Sequence, residues 1–245
     1  MGVDWQGIFF ILLSGSIAYF LPRLAYKLLQ WKVDPPRLTQ VKNILWFQWL
    51  SVFMVSVATY FVYISFGQSK ELWLALLFIW LLLLASLTDI WVGLILNWFT
   101  YSGFVFLLLF RLWIDGASLG TYLWACLFIG TLSGLISWFT KGLGYGDVKL
   151  LIMGALVVGW PNILLAFWCA TLSACLCVFG RWICGYSIQS KTAIRFGPHI
   201  SLGLFLTYLW GEAILKLYFD LLDYSNKVTL FIFTSLVPMV VNVVV

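Results

Sequence analysis

Long apolar runs recur along the chain, and polar residues are confined to the gaps between them. The runs cover roughly 5–24, 44–66, 72–88, 98–114, 119–139, 161–184, 196–218 and 228–245. Each approaches the ~20 residues that a membrane-spanning helix needs. A further run, 148–160, is shorter and follows a glycine-rich loop. At 1.5 Å per residue it covers about 20 Å, less than the ~30 Å hydrocarbon core, so it starts inside the membrane or crosses a thinned patch. The pattern predicts an all-α, polytopic transmembrane helical bundle of eight spans plus one short membrane helix, organised as a single domain over 1–245. The first run lacks a basic segment ahead of its apolar core and reads as a retained span, not a cleaved signal. The only long polar stretch is 30–43, which holds Lys32, Asp34, Pro35, Pro36, Arg37 and Lys42.

Composition leaves little room for a soluble alternative. Hydrophobic residues make up 63% of the chain and charged residues 9%, with a mean hydropathy of +1.03. A soluble domain carries about 25% charged residues, so the bilayer must be the solvent for most of this surface. The 15 Trp, 21 Phe and 11 Tyr suit rings placed near lipid headgroups.

The net charge of +5 does not point to nucleic acid, because the basic residues are scattered between apolar runs. They point instead to orientation. With the N-terminus outside and the nine runs threaded in alternation, the inner face holds Arg23, Lys27, Lys32, Arg37, Lys42, Lys141, Lys149, Arg181, Lys191 and Arg195. The outer face holds Lys70, Arg111, Lys216 and Lys227. Ten against four is the bias expected of the cytoplasmic side. Segment 30–43 is then a short cytoplasmic loop.

The same threading puts two carboxylates, Asp89 and Asp147, at span ends on the inner face. A carboxylate at a membrane boundary is costly and marks a functional candidate, although a single one can simply face water. Asp89 ends a leucine-rich run in LLLLASLTDIWVGLILN (81–97), and Asp147 lies in GLGYGDVKLL (142–151). Other chemistries have less support. The single histidine, His199, excludes a paired-histidine metalloprotease site, and any Ser-His mechanism would rest on it alone. The five cysteines lack the spacing of a disulfide framework or a zinc site and read as buried small hydrophobes. Peptide hydrolysis without such groups needs water activated by a carboxylate pair that shares one proton. Asp147 would start a helix, where the dipole favours the ionised form, and Asp89 would end one, where it favours the protonated form. Lys149 would reinforce the first effect if its ammonium turned back toward the loop.

The motif GYGDVKLL resembles the G-x-G-D-V-K signature of type IV prepilin peptidases, which are intramembrane aspartyl proteases. Three more segments resemble that family in the same order. Asp89 is followed eight positions later by Asn97. Near the C-terminus, KTAIRFGPHISLG (191–203) places Lys191, Phe196, Gly197, Pro198 and Gly203 as the family does. SGSIAYFLPRL (14–24) resembles the family's opening segment. Leu96 and Arg195 stand where the family usually has proline, which bears on loop shape and not on acid-base chemistry.

The resemblance implies Asp89 and Asp147 as catalytic residues, with Gly144, Gly146, Lys149, Asn97, Phe196, Gly197 and Pro198 supporting them. It implies a multi-pass protein of the bacterial inner membrane that cuts the basic leader from type IV prepilins or type II secretion pseudopilins. Membrane lipid is the other expected partner, and no metal or cofactor is expected. Bifunctional members carry a cysteine-bearing insert associated with N-methylation from S-adenosylmethionine. The 30–43 loop has no cysteine, which argues against that second activity. The alternatives are an ion-coupled transporter or channel using Asp89 and Asp147, a bifunctional peptidase that also methylates, and an inactive relative serving as an assembly partner.

Overall fold

The computed structural model describes residues 5–31, 44–140, 142–185 and 195–244, with side chains as far as residue 223. Among the described residues it is all helical. Eight helices follow in order: α1 (Trp5–Gln30), α2 (Ile44–Phe66), α3 (Lys70–Val92), α4 (Asn97–Asp115), α5 (Leu119–Thr140), α6 (Tyr145–Val158), α7 (Asn162–Ile183) and α8 (Gly197–Val244). Seven of them are long and apolar enough to cross a membrane, the last over Gly197–Asp223. The eighth expected run, 228–245, falls where side chains are not described, and most of the 30–43 loop lies outside the described residues. The chain divides into two compact units, Met1–Leu209 and Trp210–Val245. The first carries every feature discussed below, and the second is helical through Val244.

The α6 helix is the short one, and the bundle is built around it. Nine of its fourteen residues are buried, on all sides, as expected of a helix whose whole surface is apolar. Leu150, Leu151 and Leu156 of α6 join Phe78 of α3, Ile129 of α5 and Leu204 of α8 in the main core. The outer helices reverse the soluble pattern and point large side chains outward. Trp46, Trp49 and Phe53 of α2 and Phe106, Leu109 and Trp113 of α4 are exposed. Such faces fit a lipid surround, and the protein is a multi-pass membrane protein.

Between apolar helices in lipid, small and polar residues bring about association. Ser14 of α1 is fully buried and accepts from Thr59 of α2 at 2.9 Å and from the Trp80 indole of α3 at 3.2 Å. Gln48 of α2 donates to the Tyr19 carbonyl at 2.8 Å. The opening segment of the sequence thus acts as the seam of a three-helix subassembly. The cysteines depart from expectation. Cys126 is buried, Cys169 is half-buried, and Cys175, Cys177 and Cys184 are exposed at or near α7. An outward-facing cysteine is as compatible with lipid as a buried one, because the thiol is a small hydrophobe in either place.

Candidate active site

The α3 helix extends past the apolar run that predicts it, so Asp89 sits inside its last turn and not after it. Gly93 ends the helix in the left-handed conformation (φ 73°), its N–H donating to the Asp89 carbonyl at 2.8 Å. Asp89 is only 7% exposed, so it is not a boundary residue facing water. The chain then crosses in an extended stretch, with Leu96 as N-cap, and α4 starts at Asn97.

Asp147 is likewise inside a helix, in the first turn of α6. Its Oδ2 accepts the Gly144 N–H at 3.2 Å. This is half of a capping box, the reach of the third helical residue back to the N-cap, and glycine has no side chain to complete the other half. The sequence places the carboxylate in a glycine-rich loop; the backbone makes that loop the cap of the helix.

Several contacts bring these two helix ends together. Gly146 packs so closely on the stretch between α3 and α4 that a Cβ there would lie 3.1 Å from Cβ of Ile95. Lys149 of α6 donates to Asn97 Oδ1 at 2.9 Å, and its ammonium lies 5.0 Å from the Tyr101 ring centroid. Two residues expected to support the site therefore meet, although they are 52 positions apart. The ammonium faces α4 and does not turn back toward Asp147. These contacts bring the last turn of α3, with Asp89, and the first turn of α6, with Asp147, to the same end of the bundle.

The start of α8 closes the site over Asp89. The Gly197 N–H donates to Asp89 Oδ2 at 2.8 Å. Only glycine allows this approach, because a Cβ at 197 would lie 2.8 Å from Oδ2 and 2.9 Å from the Asp89 Cβ. Gly197→Ala is accordingly expected to displace the carboxylate while leaving the apolar packing of α8 intact. The Asp89 carboxyl bands in infrared spectra of membrane-inserted Gly197→Ala should shift from their wild-type positions, and unchanged bands would remove Gly197 from the site. Pro198 follows in the first turn of α8, where its missing N–H costs nothing. Phe196 packs against the main core, its ring 6.4 Å from that of His199. Lys191, from the same motif, lies outside the described residues.

Two groups noted in the sequence were not assigned to the site there. Arg195 donates through Nη1 to the Asp89 carbonyl at 2.6 Å and also to the Ile90 carbonyl. Its place where the family has proline was the available signal. His199 is half-buried, with Nδ1 3.0 Å from Ser173 Oγ. A permanent cation, Arg195, therefore stands beside Asp89, so helix ends alone do not set its electrostatics.

Residues 76–179 match the model of the type IV leader peptidase family. That segment is similar to the family's over 104 of the chain's 245 residues. It contains Asp89, Asn97, Gly144, Gly146, Asp147 and Lys149, and it stops short of Phe196, Gly197 and Pro198. The chain is 30% identical to a prepilin leader peptidase/N-methyltransferase of Bacillus subtilis, over 63% of this chain and 62% of the relative. It is 31% identical to a protein of the same name from Aeromonas salmonicida, over 32% of this chain and 26% of the relative. The match thus spans about three fifths of the length of the Bacillus relative. No solved structure matches.

Proposed function

We propose that this protein is an intramembrane aspartic endopeptidase in which Asp89 and Asp147 form the catalytic pair. The observation that carries the reading is their placement: two carboxylates on different helices whose ends are brought together by Gly146 against Ile95 and by Lys149 bonding to Asn97. Like charges so placed resist double ionisation, and the pair holds one proton between them. The ionised carboxylate takes a proton from water as the water oxygen bonds to the scissile carbonyl carbon. The protonated one donates to the carbonyl oxygen. Collapse of the tetrahedral species breaks the C–N bond, and the departing amine takes up the proton. This chemistry calls for no metal or cofactor.

The proposed substrates are prepilins or pseudopilins, in line with the printed names of the relatives. The excess of Lys and Arg between alternate spans supports a cytoplasmic position for the aspartates, where a basic leader would wait. Purified protein in detergent, mixed with a synthetic precursor peptide, should release the leader at a single bond. Absence of cleavage together with carboxylate-dependent ion flux in proteoliposomes would favour a transporter instead.

The relatives' names join the peptidase to an N-methyltransferase. The 30–43 loop of this chain has no cysteine, so we expect the new amino terminus to stay unmethylated when this enzyme acts alone. Mass spectrometry of the mature product in the presence of S-adenosylmethionine checks this. A gain of one methylene in mass would show that methylation needs no cysteine-bearing insert.

A further inference from the structure

We infer that Arg195 is a positioning residue for Asp89, clamping the start of α8 onto the last turn of α3. The inference rests on the reading of Asp89 as catalytic and adds a residue that the family pattern does not supply. The carbonyls of a helix's last turn carry the negative end of its dipole and attract cations, even where one already accepts a capping N–H as Asp89 does from Gly93. At the end of α3, Arg195 Nη1 donates to the carbonyls of both Asp89 and Ile90. Hydrogen bonds from a charged donor are roughly twice as strong as neutral ones. Gly197, two residues on, donates its N–H to the Asp89 carboxylate at 2.8 Å. The segment 195–197 thus holds Asp89 at two points, main chain and side chain, and the first fixes the register of the second.

The family usually has proline at this position. Proline would restrict the backbone before Phe196 by locking φ, and it offers no donor to α3. In this chain the rigid turn is absent and a clamp is present. Each device limits where the Gly197 N–H can sit relative to Asp89 Oδ2. Arginine suits the clamp because one guanidinium nitrogen can reach two adjacent carbonyls, and its charge is permanent.

Three variants test the clamp. Arg195→Met keeps the length and loses the donors. Arg195→Pro restores the family's residue, and Arg195→Lys keeps the charge with a different geometry. Catalysis depends on the reacting groups being held to within about 0.5 Å. Arg195→Met is therefore expected to lower kcat about 10- to 100-fold with KM within twofold. Arg195→Pro should recover kcat to within about threefold of wild type, and Arg195→Lys should fall between. The second readout does not depend on cleavage. The Asp89 carboxyl bands, assigned in infrared difference spectra against Asp89→Asn, should shift in Arg195→Met and return in Arg195→Pro. Bands that stay put in Arg195→Met, or a kcat that Arg195→Pro fails to raise above the Arg195→Met value, would overturn the positioning role. Bands that shift in Arg195→Met and return in Arg195→Pro, with a wild-type protein that cleaves no precursor, would count against the proposed activity and leave the clamp standing.

Discussion

Asp89→Asn and Asp147→Asn are each expected to abolish precursor cleavage, by at least ~10³-fold, in protein that still inserts and folds. The size of the effect follows from the shared proton: neither carboxylate can act as base or as acid without the other. Residues that work as a unit lose their contribution together, so the double variant should be no slower than either single one. Folding survives because asparagine keeps an acceptor oxygen at both places. At 89 it can still receive the Gly197 N–H, and at 147 the Gly144 N–H. Asp147→Ala, by contrast, removes a helix cap worth about 1 kcal/mol and would mix instability with lost chemistry. Leader release from a precursor, followed by gel shift or mass spectrometry in the same membranes, reads the outcome. Normal processing by either asparagine variant would end the aspartic protease assignment.

The largest expected effect on stability lies at the other end of α6. Fourteen residues give a rod of about 21 Å, so one end of α6 stops within the span of its neighbours. Its last carbonyls need partners where water does not reach. The Gly159 N–H serves Ala155 at 2.9 Å. Arg111 of α4 serves the next two, Leu156 through Nε at 3.0 Å and Val157 through Nη2 at 2.5 Å. Its remaining nitrogen pairs with Glu71 of α3 at 2.6 Å, and its guanidinium lies 4.2 Å from the Tyr122 ring centroid. Tyr208 of α8 closes the group by donating to Glu71 Oε2 at 3.3 Å.

Removing one member of a buried ion pair typically costs about 3–5 kcal/mol, because the partner is left charged and unpaired. Arg111→Met should lower the thermal midpoint in detergent by several degrees at least. Arg111→Met with Glu71→Leu should regain part of the loss by removing the stranded carboxylate. A midpoint equal to wild type in Arg111→Met would show that water or lipid satisfies these carbonyls instead.

Arg111 also shows where the sequence stopped being legible. Counting it among outer-face cations missed its burial, since it is 3% exposed. The hydropathy of α4 is compatible with an arginine near a span end whether it faces lipid headgroups or the bundle. Only the packing of α3, α4, α6 and α8 around it decides between these.

What the sequence determined by itself was the class of fold, the number of long spans over the described residues and the short helix among them. These depend on local quantities: run length, periodicity and the cost of placing polar backbone in hydrocarbon. The candidate carboxylates were legible for the same reason, as costly groups in apolar sequence, and the glycines around Asp147 signalled close backbone approach. The tertiary structure decided the distances between them. Asp89 and Asp147 are 58 positions apart in the sequence, and no periodicity tells whether two helix ends meet. Lys149 is the clearest case. Sequence proximity suggested a role beside Asp147, yet its ammonium bonds to Asn97 on another helix, because a long flexible side chain goes to whichever partner packing brings within reach. Arg195 and Gly197 likewise acquire their meaning only from the last turn of α3, whose carbonyls and carboxylate exist as a site once α8 is laid against it.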